Sequence, residues 1–203
     1  MAGLREAQKL ATRGKVLAAA RELFVEIGYE TATIRMIAER AGVATGSVFT
    51  TFPSKVSILR AVMDERLEKL FQELDAVAPH LRGPTVDRLC SILAVHYDFE
   101  MRRPKLFTAF LAANFDWPEG EPVITYGRQP RLNGILREVL EAGVANGDVR
   151  PDADLDLFID VLLAAYGFNY RLAAQEGLGS GELSALMDRQ IALIFDGVSA
   201  RKS

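Results

Sequence analysis

Apolar residues recur at intervals of three and four along almost the whole chain, and no apolar–polar alternation of strand period persists. That period, punctuated by Gly and Pro, confines the chain to an all-α fold. A first helix is expected over about 10–27, with Val16, Leu17, Ala20, Leu23, Phe24 and Ile27 on one side and Gly28 as its left-handed stop. Thr33 caps a short helix bearing Ile34, Ile37 and Ala38, which ends at Gly42, and a second short helix covers about 44–50. Pro53 pushes Phe52 out of helical geometry, and Ser54 opens a long amphipathic helix to about residue 77. Further helices are expected over about 85–103, 104–114, 122–144, 153–176 and 181–199, about nine in all.

Composition narrows the setting. With 49% apolar and 25% charged residues in 203, the chain is globular rather than disordered or fibrous. One Cys cannot form an internal disulfide, and the charged start MAGLREAQKLATRGK lacks the apolar core of a secretory signal. Uninterrupted apolar runs such as 161–166 fall far short of the roughly 20 residues that cross a bilayer. The expectation is a cytoplasmic protein with no membrane partner.

Charge is uneven. Residues 1–60 hold nine basic and five acidic residues, so 9 − 5 gives +4, whereas the remainder sums to −7. A basic head on an acidic body suits a head that meets a polyanion. The stretch 33–52, TIRMIAERAGVATGSVFTTF, gives that head a form. Two short helices that cross closely need a small residue near the crossing, met by Ala38, and a turn residue tolerant of positive φ, met by Gly42. Ile34, Ile37, Val43 and Val48 supply the apolar contacts. This is the spacing of a helix-turn-helix, whose second helix enters the major groove. After Gly42 come Thr45, Gly46, Ser47, Thr50 and Thr51, small hydroxyls and one bare backbone suited to close approach to phosphates and base edges.

The same residues resemble the N-terminal domain of the TetR family of bacterial transcriptional regulators. The matching signatures are Ala20-Arg21-Glu22-Leu23-Phe24, Gly28-Tyr29, the run from Ile37 to Val43, Gly46-Ser47-Val48-Phe49 and Phe52-Pro53-Ser54-Lys55. The resemblance implies a homodimer that binds a pseudo-palindromic duplex operator. It implies a DNA-binding domain over 10–56 and an effector-binding and dimerisation domain over 57–200. It also implies that Thr33 and Lys55 grip phosphates, that Thr45, Gly46 and Thr50 read bases, and that Ser47, Phe49 and Thr51 position the backbone. The chain departs from the family where Lys is common at Thr45, Tyr at Phe49, and His or Tyr at Thr50 or Thr51. No charged residue lies between Arg40 and Lys55, which predicts few ionic contacts from this segment and a gentle loss of affinity with salt.

In the body, His96, Tyr97, Phe107, Phe110, Asn114, Trp117 and Tyr126 are candidate ligand-pocket residues, since an aromatic cavity with few polar groups is the usual small-molecule design. Each is equally at home in a core. The last two helices carry broad apolar faces, from Leu155, Phe158 and Leu162 through Phe168 to Leu183, Met187, Leu193 and Phe195. Faces that broad fit pairing with a second copy in a four-helix bundle.

An enzyme is not expected. Cys90 and His96 lie six apart and Asp98 and Glu100 two apart, so both pairs diverge around a helix. His80, His96 and Cys90 have no metal-ligand spacing, and no cofactor is implied. The reading is therefore a dimeric repressor released by an unknown small-molecule effector. The alternative is a helical interaction module whose helix-turn-helix no longer binds DNA.

Overall fold

The computed structural model describes residues 2–115 and 129–198, with side chains over 6–113 and 129–198. Among these residues the fold is all-α: α1 (Ala2–Glu26), α2 (Ile34–Ala41), α3 (Thr45–Thr51), α4 (Lys55–Val77), α5 (Thr85–Met101), α6 (Pro104–Phe115), α7 (Pro130–Asn146), α8 (Leu155–Glu176) and α9 (Ser180–Asp196). A short 3-10 turn, Ala78–His80, follows α4. The helix expected from about 122 begins outside the described residues. Its described part starts at Pro130, where the Gln129 side chain accepts from the N–H groups of Arg131 and Leu132.

The chain forms two compact units, Met1–Lys69 with Arg103–Asp116, and Leu70–Arg102 with Trp117–Ser203. The first thus extends beyond the helix-turn-helix into α4 and includes α6. Its core is the face of α1 carrying Val16, Leu17, Ala20, Leu23 and Phe24, on which α2 and α3 pack. α1 begins eight residues before the expected start. Residues 6–11 are exposed, so among the described side chains this extension shows no buried face that would impose an apolar period.

In the second unit α5 packs on α9 and α7, and α8 on α9 and α7. Asp148 caps α5 from a distance, accepting from the Thr85 N–H at 3.1 Å and the Thr85 hydroxyl at 3.0 Å. Gly143 permits this approach, since a Cβ there would sit 2.4 Å from Thr85 Oγ1 and 2.8 Å from Val149 Cγ2. By length and composition α8 is the one described helix long and apolar enough to cross a membrane. It carries Asp156, Asp160 and Arg171 and buries Tyr166, Asn169 and Tyr170.

Candidate nucleic-acid interface

The turn between α2 and α3 is built by hydrogen bonds at both ends of α2. Thr33 Oγ1 accepts from the Met36 N–H at 3.2 Å, capping α2 at its start. At its end Gly42 takes φ 65°, its N–H bonds to Glu39 O at 3.1 Å, and the Val43 N–H bonds to Ala38 O at 3.0 Å. This paired closure ends α2 and fixes the direction in which α3 departs, and it costs least with glycine in the left-handed position. α3 then buries a single residue, Val48 at 0% exposure, beside the buried Phe52 just past its end.

Every other side chain of α3 points away from the core. Thr45, Gly46, Ser47 and Thr50 are exposed, Thr51 is half-exposed, and Phe49 is 51% exposed. The hydroxyls are not equivalent. Thr50 Oγ1 donates to Gly46 O at 3.0 Å and Thr51 Oγ1 to Ser47 O at 3.2 Å. Their hydrogens are thus used within the helix, and they present acceptor lone pairs and methyl groups outward. Thr45 and Ser47 hold the hydroxyls without such a bond among those described.

Three nearby cations, Arg40, Arg21 and Lys55, are engaged by protein groups, whereas Arg35 on α2 is exposed. Arg40 bonds Glu26 at 3.0 and 3.1 Å and Glu22 at 3.2 Å. These hydrogen bonds raise the Arg40 pKa, and the bond from Arg40 lowers that of Glu26. Arg21 pairs with Glu65. Lys55 Nζ donates to the carbonyls of Tyr29 at 2.9 Å and of Glu30 and Ala32 at 3.2 Å, and lies 4.3 Å from the Tyr29 ring centroid. An ammonium has three N–H bonds, so Lys55 ties down the loop between α1 and α2. Reaching a phosphate would require releasing one of these carbonyls.

The second unit places its polarity inside. Tyr97 OH donates to Tyr166 O at 3.2 Å and accepts from Asn169 Nδ2 at 3.0 Å, while Asn169 and Gln190 exchange two amide bonds at 2.7 and 3.1 Å. Tyr166 OH lies 2.8 Å from Tyr170 OH and 3.4 Å from His96 Nδ1. His96 is buried, its Nε2 has no hydrogen-bond partner, and burial pushes its pKa down to about 3, so the ring is neutral. Burial, followed by Asp188, pushes the Cys90 thiol up to about 12, which leaves no thiolate at neutral pH.

Known proteins are similar to this chain in sequence and fold. The family model for bacterial regulatory proteins of the tetR family matches residues 16–62. The transcriptional repressor KstR2 of Rhodococcus jostii is 32% identical over 95% of this chain and 93% of its own length. The chain belongs to the TetR family. As a TetR-family member it is a DNA-binding transcriptional regulator. KstR2 of Mycolicibacterium smegmatis is 28% identical over 74% of this chain and 73% of its own length. Thermus thermophilus FadR, a TetR-family repressor solved with lauroyl-CoA, superposes with a TM-score of 0.70 at 22% identity, covering 94% of this chain and 97% of that one.

Within this TetR-family chain, the eight residues tied to DNA by sequence all lie in the first unit, six of them on α3. The candidate pocket residues are more dispersed. His96 and Tyr97 belong to the buried cluster of the second unit, whereas Phe107 and Phe110 are buried in the first. Trp117 and Tyr126 lie outside the described residues, as does the Asn114 side chain. Four polar members of the cluster, Tyr166, Asn169, Tyr170 and Gln190, were not expected. Their signal was the spacing of Tyr166, Asn169 and Tyr170 by three and four on an otherwise apolar helix. The apolar faces of α8 and α9 also divide. Phe158, Ile159, Leu162, Leu163, Tyr166, Leu183, Met187, Ile191 and Phe195 are core, whereas Leu157, Val161, Phe168 and Leu193 remain exposed.

Proposed function

We propose that this regulator acts in the bacterial cytoplasm as a homodimeric repressor of a pseudo-palindromic operator. Residues 10–56 supply the DNA-binding domain and 57–200 the effector-binding and dimerisation domain. Thr45, Gly46 and Thr50 meet base edges. Thr33, Ser47, Phe49 and Thr51 lie against the backbone, and Lys55 acts chiefly by holding the loop that carries Thr33. The observation that carries this reading is the outward, uncharged, hydroxyl-bearing face of α3 on a turn closed at Gly42. The outward methyl of Thr50 suits contact with a thymine methyl, and its acceptor oxygen a base-edge donor.

The exposed Leu157, Val161 and Phe168 of α8 with Leu193 of α9, the last at 75% exposure, are the surface proposed to pair with a second copy. Two recognition helices then sit about 34–36 Å apart, one turn of duplex. A small-molecule effector in the body changes that separation, and a coupling of about 1–3 kcal/mol suffices to release DNA. His96 and Tyr97 are the proposed polar contacts, and relatives with bound ligands support the general scheme.

The test is a gel shift and footprint with DNA from upstream of the chain's own gene. Expected is a protected, two-fold-symmetric site lost in Thr45→Ala. Absence of sequence-specific binding by the intact dimer would overturn the reading and leave a helical interaction module.

A further inference from the structure

Some cations of the first unit are engaged by protein groups: Arg21 and Arg40 are in ion pairs with glutamates, and Lys55 has its donors on carbonyls. Others, Arg35 of α2 among them, are exposed with no ion pair among the described residues. The first turns of α1 concentrate such charge. Residues 2–15 hold Arg5, Lys9, Arg13 and Lys15 against Glu6, so 4 − 1 gives +3, most of the +4 carried by residues 1–60. Lys9 and Lys15 are exposed and have no ion-pair partner among the described residues.

One of these charges, Arg13, is held beside the end of α3. The Arg13 guanidinium lies over the Phe52 ring at 4.6 Å, and the Phe52 N–H closes α3 on Val48 O at 2.8 Å. Asp64, on α4, is the acid whose charge interacts with Arg13. Arg5, Lys9 and Arg13 recur every four residues, so their positions run along one side of α1 and step about 6 Å per interval away from Phe52. The spacing of phosphates along one strand is comparable, about 7 Å. Over residues 6–12 the exposed Leu10 is the one large apolar side chain, among Ala7, Gln8, Ala11 and Thr12, a weak apolar face for a membrane or a protein groove.

We infer that the N-terminal turns of α1 form a second DNA-contacting element, in which Lys9, with Arg13 and Arg5 in register, neutralises backbone phosphates flanking the segment met by α3. It rests on duplex binding by α3 and supplies the electrostatic attraction that α3 lacks. Base reading and phosphate attraction are thereby divided between two helices.

The test uses the full chain, titrated by fluorescence anisotropy against a duplex of unrelated sequence of about 30 base pairs, from about 0.05 to 0.3 M salt. Lys9→Gln removes one contact from each subunit of the dimer and is expected to lower the slope of log affinity against log salt by about 2, and Arg5→Gln with Lys9→Gln by about 4. Affinity of Lys9→Gln at about 0.1 M salt should fall about ten- to a hundredfold, with melting temperature and helicity unchanged. Lys15→Gln, about 240° around the helix from Lys9, is expected to change the slope less. Wild-type slope and affinity in the Lys9 and double variants would overturn the inference, as would a Lys15 effect equal to that of Lys9. The unrelated duplex reads phosphate contacts alone. Failure of the operator reading shows instead as equal affinity of the wild type for upstream and unrelated DNA.

Discussion

The helix-turn-helix and the bundle of α5, α7, α8 and α9 dispose of polar groups in opposite ways. α3 buries Val48 alone and turns its hydroxyls to solvent, on a helix of seven residues. The bundle takes His96, Tyr97, Glu100, Tyr166, Asn169 and Tyr170 inside and joins most of them through hydrogen bonds. A buried polar group must find a partner or lose about 1–3 kcal/mol, so such a cluster specifies one packing. An exposed hydroxyl has no such obligation and is free to meet a ligand. Substitutions on α3 should therefore alter DNA binding and spare stability, and those in the bundle should do the reverse.

The largest expected effect tests the first half of that contrast. Gly46→Glu places a carboxylate on the exposed side of α3 proposed to meet DNA, where a Cβ meets nothing within 4 Å. Operator affinity should fall roughly 100-fold or more, about 2.7 kcal/mol, with the melting temperature held, as read by anisotropy and thermal unfolding. Equal loss of stability would mean that α3 is not a free surface.

Two substitutions test the second half. Gly143→Ala forces its new methyl against Thr85 and Val149 and should cost about 2 kcal/mol in denaturant unfolding. His96 supplies a pH signature. Its folded pKa lies near 3 and its unfolded value near 6.5, so below 6.5 the unfolded chain binds a proton that the folded one refuses. That difference lowers stability as pH falls and should remove about 2 kcal/mol between pH 7 and pH 5. In His96→Phe the loss over the same interval should shrink by about that amount. An unchanged pH profile would place His96 in contact with water.

The smallest effect concerns a residue in both categories. Thr33→Ala removes the cap of α2 and should cost about 1 kcal/mol of stability. Thr33→Asp keeps the cap and should spare stability, so a loss of DNA affinity in that variant would place Thr33 beside a phosphate.

How much of this was legible in the sequence depends on how local each feature is. The cap at Thr33, the turn at Gly42 and the buried Val48 depend on residues within a few positions, and all three are in place. The start of α1 was invisible because an exposed helix needs no apolar period. The three carbonyls around Lys55 lie 23 to 26 residues away and become neighbours only when the loop after α1 folds back. On α8, Leu157 and Phe158 look alike in sequence, yet one is exposed and the other buried. The packing of α7 and α9 against α8 decides which of its apolar residues remain uncovered.

The direct measurement of how this regulator meets DNA is cleavage from a tethered reagent. Cys90 is half-buried with its thiol pushed up to about 12, so Ser47→Cys offers the reactive thiol for attaching iron–EDTA. With α3 in the major groove of each half-site, cuts should fall in two symmetric clusters about 10 base pairs apart. Uniform cutting along the duplex, or none while the labelled protein stays bound, would contradict the placement of α3 at the operator.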